Sequence, residues 1–418
     1  MKLFKDSLTI NKELYEYLDE INYGLSTDQF TNLYSLAEGM ITVKGTKSIR
    51  RISNETLTAP TCSSLYKYLS KSTWDNKLIE RNRVSLLNMF FESNLKTKEP
   101  AFLIIDDTVN PKKKAISMEG LSFNHSHTEG KRIKSHCIVN SQFVCGKISM
   151  SLNHQFYLSK ENCIKYKRQF KGKSDIAIDF VSNFSKPSNC EKTYCLVDSW
   201  YSSERLISHC LENDMHLIGA IRSNRLVTPN FVRMQIGKFF KALPEDIFDV
   251  VTIEGTEYKT FEFTACLGKS DLTVKVVLSY EVKRNKDIIP IYLVSTDTSL
   301  SAKQIILYYL KRWNIEVDYK HFKSDLGFDE YKIQDLKAIE RYMLIVYLAM
   351  NFLQMYRYKN NISFKTLGEC IEEIIKSRFK SVVNFVYTAS AEGYPIEQVY
   401  FSLKLFTQNS NTEFQEVL

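Results

Sequence analysis

The sequence predicts a mixed α/β (α+β) protein in which a sheet flanked by helices is joined to helical N- and C-terminal regions. Two apolar runs of strand length, Ala101–Asp107 and Thr193–Ser199, lie among segments with strand or helix periodicity. Strand patterns separated by glycines fill residues 223–287, and helical spacing of apolar residues dominates residues 1–95 and 331–418. Strands that alternate with helices in this way are typical of a sheet covered by helices.

Composition narrows the class of protein. The 418 residues are 44% hydrophobic and 25% charged, which is ordinary for a folded globular protein, and their net charge of +8 permits a polyanionic partner. Nine cysteines without a Cys-x-x-Cys spacing favour reduced thiols in a cytosol. Met1–Ile10 is charged and lacks an apolar run, so we expect no secretory signal. The most apolar stretch, Tyr342–Leu353, is shorter than the ~20 residues that span a bilayer and is predicted to be a buried core helix.

Residues 1–95 are predicted to be mostly helical. Four segments show helical spacing of their apolar residues: Leu14–Ile21, Thr27–Met40, Thr61–Leu69 and Lys77–Phe91. A basic segment between them contains Lys44, Lys47, Arg50 and Arg51. Such a region suits either nucleic-acid binding or oligomerisation and packing. No helix-turn-helix pattern singles out a recognition helix.

The first predicted strand, Ala101–Asp107, ends in two acids, Asp106 and Asp107. Carboxylates at the end of a buried strand are costly to desolvate unless a cation lies beside them, so they indicate a functional site rather than a core. Two further strands are predicted at His136–Cys145 and Ile148–Leu158, which makes the first three strands a meander.

A second apolar strand also ends in an acid, Asp198. The elements predicted around this strand are a helix at Ser174–Phe184, a helix at Glu204–Asn213 and a strand at His216–Arg222. Residues 223–287 are predicted to be a β-rich insertion, and Ile288–Ser295 is predicted to rejoin the main sheet.

Basic residues cluster in two connecting segments of this region. Lys112 begins the first segment, and Lys167 and Arg168 lie in the second, where basic residues alternate with aromatic ones. This interleaving favours a nucleic-acid backbone as partner, although a solvated loop has the same composition. The histidines near Cys137 have a spacing that fits no common zinc ligand set, so no zinc site is predicted.

One long helix is predicted at Ser301–Leu326, which contains neither glycine nor proline. One stripe of this helix carries functional side-chain types, namely Tyr309, Arg312, Glu316 and Lys323. An adjoining stripe is predicted to face the core, and it consists of Ile306, Leu310, Trp313 and Val317. By helical spacing alone, the first stripe could also be a solvated face with i, i+4 charge pairs.

The spacing Tyr-(2)-Arg-(3)-Glu-(6)-Lys, with Arg-Trp-x-Ile-Glu at its centre, resembles the signature of bacterial transposases of the insertion-sequence-four group. These are DDE transposases with an RNase H-like catalytic domain, and the predicted order of strands and helices is similar to that fold. The resemblance implies that Asp106, Asp198 and Glu316 are catalytic and bind metal, with Asp107 the less favoured choice for the first acid. It also implies that the tyrosine, arginine and lysine of the signature handle DNA phosphates.

The resemblance further implies cut-and-paste transposition. The implied cofactor is Mg²⁺ or Mn²⁺, with two ions bound. The expected partners are DNA, as transposon terminal repeats and as target, and a second copy of the chain, with which it would form a homodimer on the DNA. No membrane partner is expected. The expected location is the bacterial cytoplasm, in association with the nucleoid. The expected DNA-binding residues are Tyr309, Arg312, Lys323, Trp313, Lys112, Lys167 and Arg168.

The same resemblance suggests five segments with separate roles. Residues 1–95 would bind DNA ends, residues 96–222 and 288–330 would form the catalytic core, and residues 331–418 would be a helical C-terminal region. Relatives stack a flipped base on an aromatic residue of the insertion at 223–287. None of the three tryptophans lies there, and the candidates are Phe239, Phe240, Tyr258 and Phe261.

Two other functions share some of these features. An RNase H-like nuclease needs the three acids but neither strand transfer nor the Tyr-Arg-Lys row. A domesticated DNA-binding protein would no longer cut, and the presence of all three acids argues against it.

Overall fold

A computed structural model of the chain describes residues 11–95, 98–126, 129–229, 232–268, 272–282, 289–360 and 366–405. Met1–Ile10, the segment in which we expected no secretory signal, lies outside the described residues, as do parts of the predicted insertion. The chain divides into two compact units. The helical unit contains Met1–Leu86, Lys114–Glu119 and Lys320–Leu418, and the sheet unit contains Leu87–Lys113 and Gly120–Tyr319. The five segments predicted from sequence are a finer division, which stays a prediction.

The N-terminal region is helical, as predicted. Its helices are α1 (Lys12–Ile21), α2 (Thr27–Thr42), α3 (Ile49–Glu55), α4 (Cys62–Ser70) and α5 (Asn76–Asn94). Side-chain caps begin several of them; Ser26, for example, forms a capping box with Gln29 at the start of α2. Of the basic segment, Lys47 is buried and its backbone N–H donates to Glu330, while Arg51 pairs with Glu55. Half of that predicted DNA-facing segment therefore has intramolecular partners.

In the part of the chain that the structure describes, the sheet unit is built on one twelve-stranded mixed sheet. The strands up to the insertion are β1 (Ala101–Pro111), β2 (Ser122–Ser126), β3 (Lys131–Cys145), β4 (Ile148–Tyr157), β5 (Thr193–Val197) and β6 (His216–Ile221). The helices between them are α6 (Lys160–Lys165), α7 (Lys173–Ser182) and α8 (Glu204–Glu212). Strand β1 pairs antiparallel with β3 and parallel with β5, which pairs parallel with β6. This mixed pairing is consistent with the RNase H-like fold expected from the sequence.

The insertion extends the same sheet. Its elements are β7 (Leu226–Thr228), β8 (Met234–Gln235), α9 (Ile236–Ala242), β9 (Asp249–Ile253), β10 (Thr256–Leu267) and β11 (Thr273–Glu281), and the chain then returns through β12 (Ile291–Ser295). Strand β12 pairs with β6 on one side and β11 on the other, so it rejoins the main sheet as predicted. Strand β2 was not predicted, because its sequence, SFNHS, has almost no apolar residues.

The long helix predicted at Ser301–Leu326 is divided into two, and this prediction was wrong. Helix α10 spans Ala302–Leu310 and helix α11 spans Trp313–Ser324. Between them, the N–H groups of Lys311 and Arg312 donate to carbonyls three residues back, at 3.0 and 2.9 Å. A turn with i→i−3 bonds advances about 120° per residue instead of 100°, so the buried face shifts along the helix.

The predicted core stripe fails beyond that turn. Trp313 and Val317 are 59% and 52% exposed, whereas Ile315 and Tyr319 are buried. Ile306, which precedes the turn, is buried as predicted. The sequence contains no glycine or proline that would have revealed the change of phase.

The remaining helices are α12 (Leu336–Lys359), α13 (Leu367–Ala391) and α14 (Ile396–Ser402). Every residue of Tyr342–Leu353 is buried, which confirms the prediction of a core helix. Near its start, α12 also buries Arg341, whose guanidinium donates to the carbonyls of Tyr68, Leu69 and Trp74 and lies 4.4 Å from the centre of the Trp74 ring. Among the described residues, no helix is long and apolar enough to span a membrane.

Candidate active site

Asp106 and Asp198 lie beside each other where two parallel strands part. The parallel pairing of β1 with β5 ends at Ile105 and Val197, and each aspartate is the next residue along its chain. Asp106 is nevertheless not at a strand end, since β1 continues to Pro111 in its pairing with β3. The sequence placed the end of β1 too early because polar residues replace the apolar run after Ile105.

The Asp198 carboxylate begins a tight turn. Its Oδ1 accepts the backbone N–H of Trp200 at 2.8 Å and that of Tyr201 at 3.2 Å. The Ser202 hydroxyl donates to the Asp198 carbonyl at 2.9 Å. Aspartate side chains stabilise such turns by accepting from the backbone two residues on, so the local sequence Asp-Ser-Trp-Tyr itself orients this carboxylate.

Arg312 connects the first aspartate to the helix glutamate. A single guanidinium nitrogen, Nη1, donates to Asp106 Oδ2 at 3.0 Å and to Glu316 Oε1 at 3.3 Å. The two carboxylate oxygens therefore lie no farther apart than the sum of these distances. Arg312 is largely buried, and its guanidinium also lies 5.9 Å from the centre of the Tyr309 ring and 5.4 Å from that of Trp313.

Burial raises the pKa of Asp106 to about 7; the Arg312 guanidinium opposes this shift, and the neighbouring Asp198 carboxylate adds to it. Burial also raises the pKa of the Tyr309 hydroxyl, although Arg312 lowers it. The positive charge of one arginine thus does not fully offset the desolvation and mutual repulsion of the carboxylates. A further cation would be attracted to this position.

Asp107 has a different environment on the opposite face of β1. Its Oδ2 accepts from Lys173 Nζ at 2.6 Å and from the Cys137 thiol at 3.3 Å, and its Oδ1 accepts from the Tyr201 hydroxyl at 2.8 Å. The Asp107 carboxylate thus accepts hydrogen bonds from three side chains of the protein itself. The geometry thus favours Asp106 as the acid of this pair that faces the site.

A buried network holds α11 against the sheet beside Glu316. Asp318 Oδ2 accepts from the Ser151 hydroxyl at 2.6 Å and from the Gln142 amide at 2.8 Å, and the Tyr319 hydroxyl accepts from the Asn140 amide at 3.0 Å. Sequence reasoning missed this network, because its partners are more than 160 residues apart in the chain.

The structure brings Tyr309, Arg312 and Glu316 together with the two aspartates. Trp313 is exposed beside Arg312. The other predicted DNA-binding residues lie elsewhere: Lys112 directly after β1, Lys167 and Arg168 exposed after α6, and Lys323 on the last turn of α11 in the helical unit.

The insertion's candidate stacking residues have partners of their own. Phe239 contacts Phe263 at a ring distance of 5.0 Å, and Phe240 packs on Phe248 at 5.8 Å. Phe261 lies 6.0 Å from Phe248, and Tyr258 is half-buried. These rings form an aromatic cluster that stabilises the insertion.

The donor set fits a hard divalent cation in its chemistry, since carboxylate oxygens are the ligands that such ions prefer. Arg312 lies between Asp106 and Glu316 and forms an ion pair with each. Among the described residues, no three His, Cys, Asp or Glu side chains are grouped closely enough to hold a metal ion. Convergence of all three acids within about 4–8 Å stays a prediction.

A mixed RNase H-like sheet with aspartates on two adjacent strands and a glutamate on a later helix is typical of DDE enzymes. The family model for "DDE superfamily endonuclease" matches residues 14–236, and that for "Transposase DDE domain" matches residues 172–352. The chain belongs to the DDE superfamily of endonucleases. It is therefore an enzyme of the endonuclease and transposase kind, and members of this superfamily use divalent metal ions.

The chain is also similar in fold to a solved structure, a piggyBac transposase synaptic complex with hairpin DNA. The TM-score is 0.51 at 13% sequence identity, and the match covers 96% of this chain and 84% of that one. At this identity the likeness concerns the fold alone. No curated protein matches the chain in sequence.

Proposed function

We propose that this protein is a DNA transposase of the insertion-sequence-four group, which cuts DNA at the ends of an insertion sequence and joins them to target DNA. The observation that carries the proposal is the cluster in which Arg312 joins Asp106 to Glu316 beside Asp198. In a chain of the DDE superfamily, this cluster combines the three acids with the arginine and tyrosine of the Tyr-Arg-Glu-Lys spacing.

Asp106, Asp198 and Glu316 would hold the divalent metal, which we propose to be two Mg²⁺ or Mn²⁺ ions. When bound, the metal supplies activation of a water or 3′-hydroxyl and stabilisation of the leaving oxygen in an in-line attack on phosphorus. Asp106 must lose its proton to act as a ligand, and its pKa of about 7 makes that step sensitive to pH near neutrality.

Arg312 changes partner in this proposal. Its guanidinium offsets the carboxylate charge in the metal-free protein, and a cation at the acids would release it to hold a DNA phosphate through two N–H groups. Tyr309 and Trp313, which contact the same guanidinium, would hydrogen-bond or stack beside that phosphate. Lys112, Lys167, Arg168 and Lys323 would bind phosphates farther along the DNA.

The proposed partners are transposon-end and target DNA and a second copy of the chain, with residues 1–95 binding the ends. Support comes from the net charge of +8 and from the transposase family match. The similar fold of the piggyBac transposase, solved as a synaptic complex with hairpin DNA, favours hairpinned ends as an intermediate. The expected location is the bacterial cytosol, at the nucleoid.

The proposal is tested on a duplex that carries the inverted repeats flanking the gene, with Mg²⁺. We expect Asp106→Asn, Asp198→Asn and Glu316→Gln each to lower the rate of end cleavage by more than ~100-fold. Loss of a residue that only hydrogen-bonds to a metal ligand typically has a smaller effect than this. DNA binding should change little. Asp246→Asn, an exposed acid outside the cluster, is the matched control. Cleavage without joining in the wild type would instead indicate a plain nuclease.

A further inference from the structure

A large groove lies next to the Asp198 turn, within the sheet unit. Its volume is about 860 Å³, and its walls come from β2, the end of β4, helix α6, the start of α7 and Trp200. The acid cluster does not explain this groove, which lies on the side of Trp200 where Asp107 and Lys173 form their ion pair.

Exposed aromatic rings line the groove. Trp200 is 46% exposed and Phe123 is 62% exposed, and the ring of Tyr157 is also part of the lining. Aromatic side chains of this size are usually buried, so their concentration on one concave surface indicates a partner with flat apolar faces.

Trp200 is held in place. The ring of Tyr201 meets it edge-on at 4.7 Å, and Lys173 Nζ lies 5.3 Å from its centre. Its backbone N–H donates to the Asp198 carboxylate. Because these contacts fix the ring before any ligand binds, little side-chain freedom would be lost on stacking.

Cations accompany the rings. Lys160 and Arg132 line the groove, and Lys160 Nζ lies 5.4 Å from the centre of the Phe170 ring. Of the acids in the lining, Asp175 is engaged by Arg205 at 2.5 Å and by the Gly172 N–H at 2.8 Å. Rings for bases and cations for a sugar-phosphate backbone are together the features of a single-strand site.

A second, polar cavity of about 260 Å³ lies against Trp200 as well. It is lined by Ser199, Ser203, Asn224, Arg222 and Arg225 among others. Trp200 contributes to both cavities, so a strand in the groove could pass over this ring and continue into the second cavity. That path runs directly beside Asp198, whose carboxylate accepts from Trp200.

We infer that the Trp200 groove binds an unpaired stretch of a DNA strand that leads away from the cut phosphate, with one base stacked on Trp200. The inference rests on the proposed function, which is the reason for taking DNA as the ligand. It deepens that function by stating that the bound strand is unpaired. Bases inside a duplex are stacked on both faces, so the interior of a duplex cannot use the ring in this way.

Binding is measured without Mg²⁺, in EDTA, so that cleavage does not intervene. The probes are a blunt duplex and the same duplex with a single-stranded extension of about eight nucleotides at either end. We expect the wild type to prefer an extended duplex. Trp200→Ala should weaken binding of that probe by roughly 5- to 150-fold, the range for loss of one base–aromatic stack, and leave the blunt duplex unaffected.

Three companion variants make the result specific. Trp200→Phe should retain most of the affinity, while the part of the ligand-induced tryptophan quenching that it removes reports on the Trp200 ring itself. Phe123→Ser, on the exposed strand β2, should lower affinity for the same probe and serves if Trp200→Ala does not fold. Tyr387→Ala, an exposed ring on α13, should change nothing.

Equal affinity of Trp200→Ala and wild type for every probe would overturn the inference, as would stronger Trp200-dependent binding of RNA of the same sequence. The result also separates the two proposals. If the protein prefers unpaired DNA in a Trp200-dependent way but neither cuts nor joins DNA, the groove proposal stands and the transposase proposal is rejected. If the protein cuts and joins DNA normally but Trp200→Ala binds every probe as the wild type does, the transposase proposal stands and the groove proposal is rejected.

Discussion

The two faces of strand β1 carry one aspartate each, and the two carboxylates have opposite surroundings. Asp106 shares one arginine nitrogen with Glu316, is next to Asp198 and has a pKa raised to about 7 by burial. Asp107 is bound by a lysine, a tyrosine hydroxyl and a thiol. Adjacent residues of a strand point to opposite faces, so one step along the chain separates the two sites. The comparison teaches that adjacent acids of one strand can have quite different partners, and the proposed metal role of Asp106 rests on the incomplete offset of its charge by Arg312.

Removing Arg312 is expected to have the largest effect on the Asp106 face. Under the proposed function, Arg312→Ala deletes a charge-assisted phosphate contact worth about 1.5–3 kcal/mol, or roughly 10- to 150-fold. We expect hairpin formation and strand transfer to slow by more than the first nick. Assaying the three steps separately on an end-containing duplex with Mg²⁺ gives the measurement.

Arg312→Lys is the matched variant, since it keeps the charge and loses the planar pair of donors. It should recover only part of the loss. Identical rates for Arg312→Ala and wild type at every step would mean that the arginine serves the metal-free fold alone.

Per pH unit, a smaller effect is expected on the pH dependence of stability. The folded-state pKa of Asp106 is about 7, above the unfolded value of about 3.9, so between these values the folded state holds a proton that the unfolded state does not. Stability of the metal-free protein should therefore fall as pH rises from about 4 to 7, by at most about 1.4 kcal/mol per pH unit from this group.

Asp106→Asn should remove that contribution. The free energy of unfolding of the variant minus that of the wild type should therefore increase from pH 5 to pH 8. Denaturant titrations in EDTA at both values measure it. Added Mg²⁺ should reduce the difference, because bound cation favours the ionised form. A variant whose advantage is the same at pH 5 and pH 8 would contradict the raised pKa.

The smallest effect is expected on the Asp107 face. Tyr201→Phe removes one buried hydroxyl from the three donors and should lower the free energy of unfolding by about 0.5–1.5 kcal/mol without changing its pH dependence. Tyr387→Phe, whose hydroxyl is on an exposed ring, is the control. A change in pH dependence on loss of Tyr201 would show that the two faces are coupled.

Much of the sheet unit was predictable because its signals are local. The strands β5, β6 and β12 follow from apolar runs, and the aspartate positions follow from the abrupt ends of two such runs. The polar edge strand β2 was missed, since its pairing with β3 rather than its composition makes it a strand. The insertion was predicted as β-rich, but its continuity with the main sheet depends on the long-range pairing of β11 with β12.

The sequence by itself determined which residue types are available at which spacing: Tyr309, Arg312 and Glu316 within two turns, and an acid after each of two apolar runs. Tertiary structure decided what these residues meet. Arg312 contacts Asp106 across 206 residues of chain, and the turn at Lys311 and Arg312 exposes Trp313, which helical spacing had placed in the core. The physical reason is that side-chain periodicity reports only local backbone geometry, whereas burial and ion pairing depend on which distant strand or helix packs against each face.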